Sequence, residues 1–119
     1  MKYLVLLAGE PGVGPAPGSS EFMAMLEEFG TVTAEMSAAG VLVDSGPLQD
    51  PSSATTVRVR EGKRLLVDGP FAEIREQLGG YYVLECADLD AAVDWAARIP
   101  SARYGSLEVR PVLQMEMPS

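Results

Sequence analysis

Two carboxylates five residues apart, Asp68 and Glu73, bracket the run Asp68-Gly69-Pro70-Phe71-Ala72-Glu73. At a pocket mouth either one has the right chemistry for a general base. The same six residues also explain themselves as local structure. Asp68 can accept hydrogen bonds from the amides of the following turn, and Gly69 tolerates the angles forced on a residue before proline. Pro70 has no amide to satisfy and suits a first helical turn, Phe71 offers an apolar anchor to the body of the fold, and Glu73 suits a positive helix end. These structural roles outweigh catalysis as the reading of the motif.

Arginines form the second group with chemistry. Arg58, Arg60 and Arg64 fall on one hairpin and Arg110 on the last strand, and their forked donors match small carboxylates. The plainer reading pairs Arg58, Arg60 and Arg110 with Asp68, Glu85 and Glu108, or leaves them in solvent. Tyr81 and Tyr82 point to opposite faces of one strand, so at most one lines a given cavity. The chain has no histidine, which excludes Ser-His-Asp and Cys-His machinery and the ordinary histidine-bearing metal sites. Gly12-Val13-Gly14 mimics a dinucleotide loop, but Pro17 occupies the third glycine position and Pro15 intrudes. No cofactor or metal is expected.

A net charge of −8 over 119 residues repels phosphate backbones and anionic membranes and argues against nucleic-acid binding. No apolar run approaches the ~20 residues of a membrane span. The opening Met1–Glu10 has one base, a short apolar run and then an acid, which reads as a buried strand rather than a signal peptide. Cys86 has no second cysteine to pair with. A buried, reduced thiol in a cytoplasmic protein is the economical expectation.

The elements that must position these groups follow from periodicity. Tyr3 to Ala8 reads as a central strand, and Gly9 to Ser20 as a loop. Phe22, Met25, Phe29, Val32, Met36 and Ala39 make the stripe of a helix capped by Ser19 or Ser20 and ended by Gly40. Val41 to Asp44 is a strand closed by Gly46-Pro47. Thr55 to Arg60 and Arg64 to Asp68 form a hairpin around Glu61-Gly62-Lys63. Were Val57 and Val59 to face the helices, Arg58 and Arg60 would face the open side of the sheet.

A short helix is expected from Pro70 to Leu78, ended by Gly79-Gly80, and then a strand from Tyr81 to Cys86. Asp88 caps a helix with Leu89, Ala92, Val93 and Ala96 on its buried stripe, stopped by Pro100. Ser106 to Met117 alternates as the last strand. The order is that of a ferredoxin-like βαββαβ α+β domain with an added hairpin, one antiparallel sheet carrying both helices on one face. Its open face is expected to pair with a second copy.

The DGPFAE run and the Gln77-Leu78-Gly79-Gly80-Tyr81-Tyr82 that follows resemble the signature of the YCII-related family of the DGPF type. Supporting stretches are Lys2-Tyr3, Ala39 to Leu42 leading to Gly46-Pro47-Leu48, Ala91 to Ala96 and Glu108 to Val112. The resemblance spans nearly the whole chain. It implies a ferredoxin-like fold that dimerises through its sheets as an α/β-barrel type assembly, with clefts between sheet and helices or loops. It also implies frequent genomic company with alternative sigma factors, hence an interaction module in transcriptional regulation as one reading.

The wider YCII group includes dehalogenating, lyase-like enzymes that resemble muconolactone isomerases. Their working pair is a histidine on the first helix and an aspartate before a proline after the second helix. Phe29 and Ile99 stand at those places here. The expectation is a cofactor-free homodimer that binds a small anionic or aromatic molecule near the DGPF loop, with Arg58, Arg60, Phe71, Tyr81 and Arg110 as contacts. The enzyme alternative is a lyase or isomerase acting on a small organic acid or lactone, with Asp68 or Glu73 as base.

Overall fold

The computed structural model describes residues 1–72 and 74–115. Its elements are β1 (Lys2–Gly9), α1 (Ser20–Ala38), β2 (Leu42–Pro47), β3 (Thr55–Arg60), β4 (Lys63–Asp68), β5 (Gln77–Glu85), α2 (Leu89–Ala97) and β6 (Ser106–Pro111). Two 3₁₀ turns, Pro51–Ser53 and Pro100–Arg103, fill the joints. The protein is α+β, and all strand pairing is antiparallel.

Four strands form one sheet in the order β2-β5-β1-β6, with β1 central as its continuous apolar run requires. Alternation sorts the side chains. Tyr3, Val5, Leu7, Tyr82 and Leu84 point to the helix side and are buried. Leu4, Leu6, Ala8, Tyr81 and Val83 point to the opposite side, where they are only half-buried. Against the first face pack Val32 and Met36 of α1, Ala92 and Ala96 of α2, and Ile99. Both helices therefore cover the same face.

The helix ends obey their local chemistry. Ser19 caps α1, its hydroxyl accepting from the Phe22 amide at 3.1 Å. Asp88 does the same for α2, accepting from the Ala91 amide at 2.9 Å. Gly40, at φ +73°, supplies the left-handed residue after α1. In α2 the buried stripe differs from its sequence expectation: Ala92 and Ala96 are buried and Ala91 and Trp95 pack beside them, whereas Leu89 and Val93 are exposed.

Three expectations are corrected. The segment before β5 holds no described helix; β5 begins at Gln77 and runs through Gly79-Gly80. Pairing with β1 extends the strand, since Leu78 stands opposite Ala8 and Gly80 opposite Leu7. The hairpin forms a separate two-stranded sheet, so Val57 and Val59 face no helix and Arg58 and Arg60 face no open side of the main sheet. Its turn is the two residues Glu61 and Gly62, both at positive φ as a type I′ connection requires. Finally, β6 ends at Pro111; Met117 lies outside the described residues.

Candidate functional site

A cavity of about 640 Å³ opens between α1 and the sheet. Leu26, Phe29, Gly30, Thr33 and Ser37 of α1 form its roof, and Leu7, Tyr82, Gly80 and Leu42 its floor. Gly80 creates the space. A Cβ there would come within 3.2 Å of the Gly46 carbonyl oxygen and 3.7 Å of Leu7 Cδ2, so a larger residue would crowd the β2 backbone and narrow the cleft. Between floor and roof, the Tyr82 and Thr33 hydroxyls share a 2.8 Å hydrogen bond in which either oxygen can donate. Two hydroxyls spend one proton on that bond and keep a second donor for a guest.

Among the described residues, none that lines this cleft carries a charge. Its walls are largely apolar, and the side-chain polar groups among them are the hydroxyls of Thr33, Ser37, Ser45 and Tyr82. A second cavity of about 360 Å³ adjoins it, sharing Leu7, Phe29 and Gly79, and runs under the Gly9–Pro15 loop to Tyr104. Gly14, at φ +95°, lies so close to Tyr104 that a Cβ would sit 3.3 Å from its ring. That contact seats the loop.

The residues singled out by sequence stand elsewhere. Phe71 is 80% exposed and lines a separate 450 Å³ hollow between the hairpin base and the start of β5, with Leu48, Thr56, Ile74 and Leu78. It does not pin its loop to the body, because no apolar surface of the same chain closes over it. The loop is held instead by backbone: Gly69 donates to the Ala54 carbonyl at 2.6 Å, and Thr56 Oγ1 donates to the Gly69 carbonyl at 2.8 Å. Asp68 ends β4 in solvent, and among the described residues no amide donates to its carboxylate. Glu73 lies outside the described residues.

Arg58 and Arg60 are exposed on the hairpin. Arg110 lies on the face away from the helices, 3.5 Å from Glu108. Tyr81 shares that face and donates to Asp44 Oδ2 at 3.2 Å, an acceptor that raises the phenol pKa by favouring its protonated form. Among the described candidates, Phe71 lines the 450 Å³ hollow, and Arg58, Arg60, Asp68, Tyr81 and Arg110 line neither it nor the two cavities beside α1.

Tyr82 and Thr33 were missed as site residues, although their signal was present. Tyr82 alternates onto the side of Leu84, and Thr33 sits four residues after Phe29 and three before Met36. At the positions that the resemblance associates with a His–Asp pair, Phe29 lines both cavities and Ile99 is 1% exposed in the core.

Comparison with known proteins agrees with this architecture. The chain is 36% identical over 114 residues to an uncharacterised protein of Rhizobium meliloti (strain 1021), covering 94% of this chain and 92% of that one. Its fold is similar to that of a 5-chloro-2-hydroxyhydroquinone dehydrochlorinase from Burkholderia phenoliruptrix AC1100, solved in complex with 2,5-dihydroxybenzoquinone. The TM-score is 0.53 at 11% identity, over 97% of this chain and 96% of that one. The family model of the YCII-related domain matches residues 1–116, and the chain belongs to that family.

Proposed function

We propose that this chain is a cytoplasmic, homodimeric small-molecule-binding domain with a ferredoxin-like fold. Its ligand is a flat, largely apolar ring compound of phenol or quinone size, taken into the cleft beneath α1. The observation that carries the reading is the 640 Å³ cleft, uncharged among its described residues, with the Tyr82–Thr33 hydroxyl pair in its wall. Ligand sites of this kind combine apolar walls with a few placed polar groups. The compound bound by the dehydrochlorinase of similar fold has that size and chemistry. Among the described residues no carboxylate lines the cleft to move a proton, which favours binding over acid–base catalysis there. Buried, unpaired Cys86 suits a reducing compartment.

The test is a thermal-shift and calorimetric screen of neutral phenols, quinones and lactones beside small carboxylates. A ligand at 100 times its dissociation constant stabilises the fold by about 2.7 kcal/mol. Neutral aromatics should raise the melting temperature, and Tyr82→Phe should weaken the best of them about tenfold. Response to carboxylates alone, or equal affinity in Tyr82→Phe, would refute the assignment.

A further inference from the structure

The β3–β4 hairpin is a basic, apolar arm attached to an acidic body. Four of the nine basic residues stand on it, Arg58, Arg60, Lys63 and Arg64, against Glu61 and Asp68. The arm therefore carries two excess positive charges and the rest of the chain ten excess negative ones, which together make the −8. None of those four bases forms an ion pair among the described residues. The arm also exposes apolar side chains on both faces: Val57, Val59 and Leu66 on one, Leu65 and Val67 on the other.

A two-stranded ribbon without cover is marginal in water. The whole chain has a radius of gyration of 16.6 Å, whereas about 13.5 Å is usual for a compact chain of this length. The arm is extended away from its own core.

The body offers a surface of matching chemistry. On the sheet face away from the helices, Leu6, Ala8, Ile74 and Leu78 floor an open groove of about 700 Å³, and Glu76 and Glu108 stand on its rim. The arm face bearing Leu65 and Val67 also bears Arg58, Arg60 and Lys63, by the register that sets Arg58 against Leu65 and Arg60 against Lys63. The opposite arm face carries a single base, Arg64. Glu108 also sits 3.5 Å from Arg110, and Glu76 accepts from Ser106 Oγ at 3.2 Å, yet two carboxylates beside an apolar floor still favour the more basic arm face.

We propose that the arm of one chain docks its Arg58–Lys63–Leu65 face into the Glu76–Glu108 groove of a second copy, and that the exchange is reciprocal. It rests on the homodimer reading above and specifies what holds the two copies together. Reciprocal docking is the arrangement a two-fold axis imposes, since each copy presents both arm and groove.

Wild-type protein provides the first test. Lysine occurs only at positions 2 and 63, so a zero-length carbodiimide link between the Lys63 amine and Glu76 or Glu108 is readily assigned by mass. In a refolded mixture of ¹⁴N- and ¹⁵N-labelled protein, that link is expected in peptides of hybrid isotope content. Links from Lys63 confined to single-isotope pairs, or none at all in a sedimenting dimer, would overturn the docking.

Charge exchange provides the second test. Arg58→Glu with Arg60→Glu, or Glu76→Arg with Glu108→Arg, should each weaken the dimer about tenfold or more through like charges in contact. Mixing the two variants should restore it, because each arm then meets a groove of opposite sign. An unchanged dimer in both variants means that the copies pair by sheet faces without their arms. A wild-type monomer at tens of micromolar removes the homodimer reading itself, and neither result touches ligand binding in the cleft.

Discussion

Tyr82 on β5 and Thr33 on α1 share a 2.8 Å hydrogen bond across the cleft, joining the sheet to its longer helix through side chains 49 residues apart. Removing either hydroxyl leaves the other without its partner in a partly buried place. Tyr82→Phe and Thr33→Val should each cost about 1 kcal/mol in urea unfolding. The double variant should cost less than the two together, with a coupling of about 0.5–1.5 kcal/mol. Additive losses would mean that the bond contributes nothing in solution.

Two glycines should respond in opposite directions to alanine. A Cβ on Gly105 would be driven into the Ala8 carbonyl oxygen where β6 begins beside β1. Backbone cannot yield as a side-chain tip can, so Gly105→Ala should destabilise by about 1–3 kcal/mol or more. Gly30 sits inside α1, and nothing lies within 4 Å of the place an alanine methyl would take there. Gly30→Ala should stabilise by about 0.5–1 kcal/mol through helix propensity. Chemical denaturation of both variants checks the contrast in sign.

Arg103 donates from two nitrogens to the two carboxylate oxygens of Glu28, at 2.7 and 3.2 Å. This ties the turn after α2 to α1 and holds the Glu28 carboxyl below the usual carboxylate range. A depressed folded pKa gives stability that is present above the unfolded value and lost as pH falls through the folded one. The melting temperature of wild type should therefore exceed that of Glu28→Gln at pH 7. The gap should close as pH drops below about 4.3, the range of a free glutamate. Both groups are exposed, so added salt should narrow it as well.

Cys86 is 7% exposed, and burial pushes its thiol pKa up. Both effects withhold the thiolate that reacts with disulfide reagents. At pH 8 the native protein should react on the order of a hundredfold more slowly than protein in denaturant. Equal rates would place the thiol in solvent.

Sequence carried the body of the fold well, for identifiable reasons. Ser19, Gly40 and Asp88 act within a few residues of themselves, so helix ends are local facts. The strand at β1 announces itself because its apolar run is continuous, buried toward the helices and half-buried on the other side. The stretch before Tyr81 misleads because Phe71, Ile74 and Leu78 recur at helical spacing. Its actual conformation answers to Leu7 and Ala8, some seventy residues earlier. Alternation likewise shows that the hairpin has two faces but not which sheet it joins, since that choice is tertiary. The cleft was hardest to foresee. Its floor is a missing side chain at Gly80, and its polar groups look like ordinary members of core stripes.

Chain entry to and exit from the hairpin are adjacent, with Ala54 accepting from Gly69 at 2.6 Å. Its strands pair with each other and with no strand of the four-stranded sheet. Residues 55–68 therefore behave as a cassette set into a βαββαβ frame. A joint of one or two glycines between Ala54 and Gly69 spans the gap and leaves every register of the larger sheet in place. An arm joined to the body at one point in this way can be lengthened or removed without rebuilding the core.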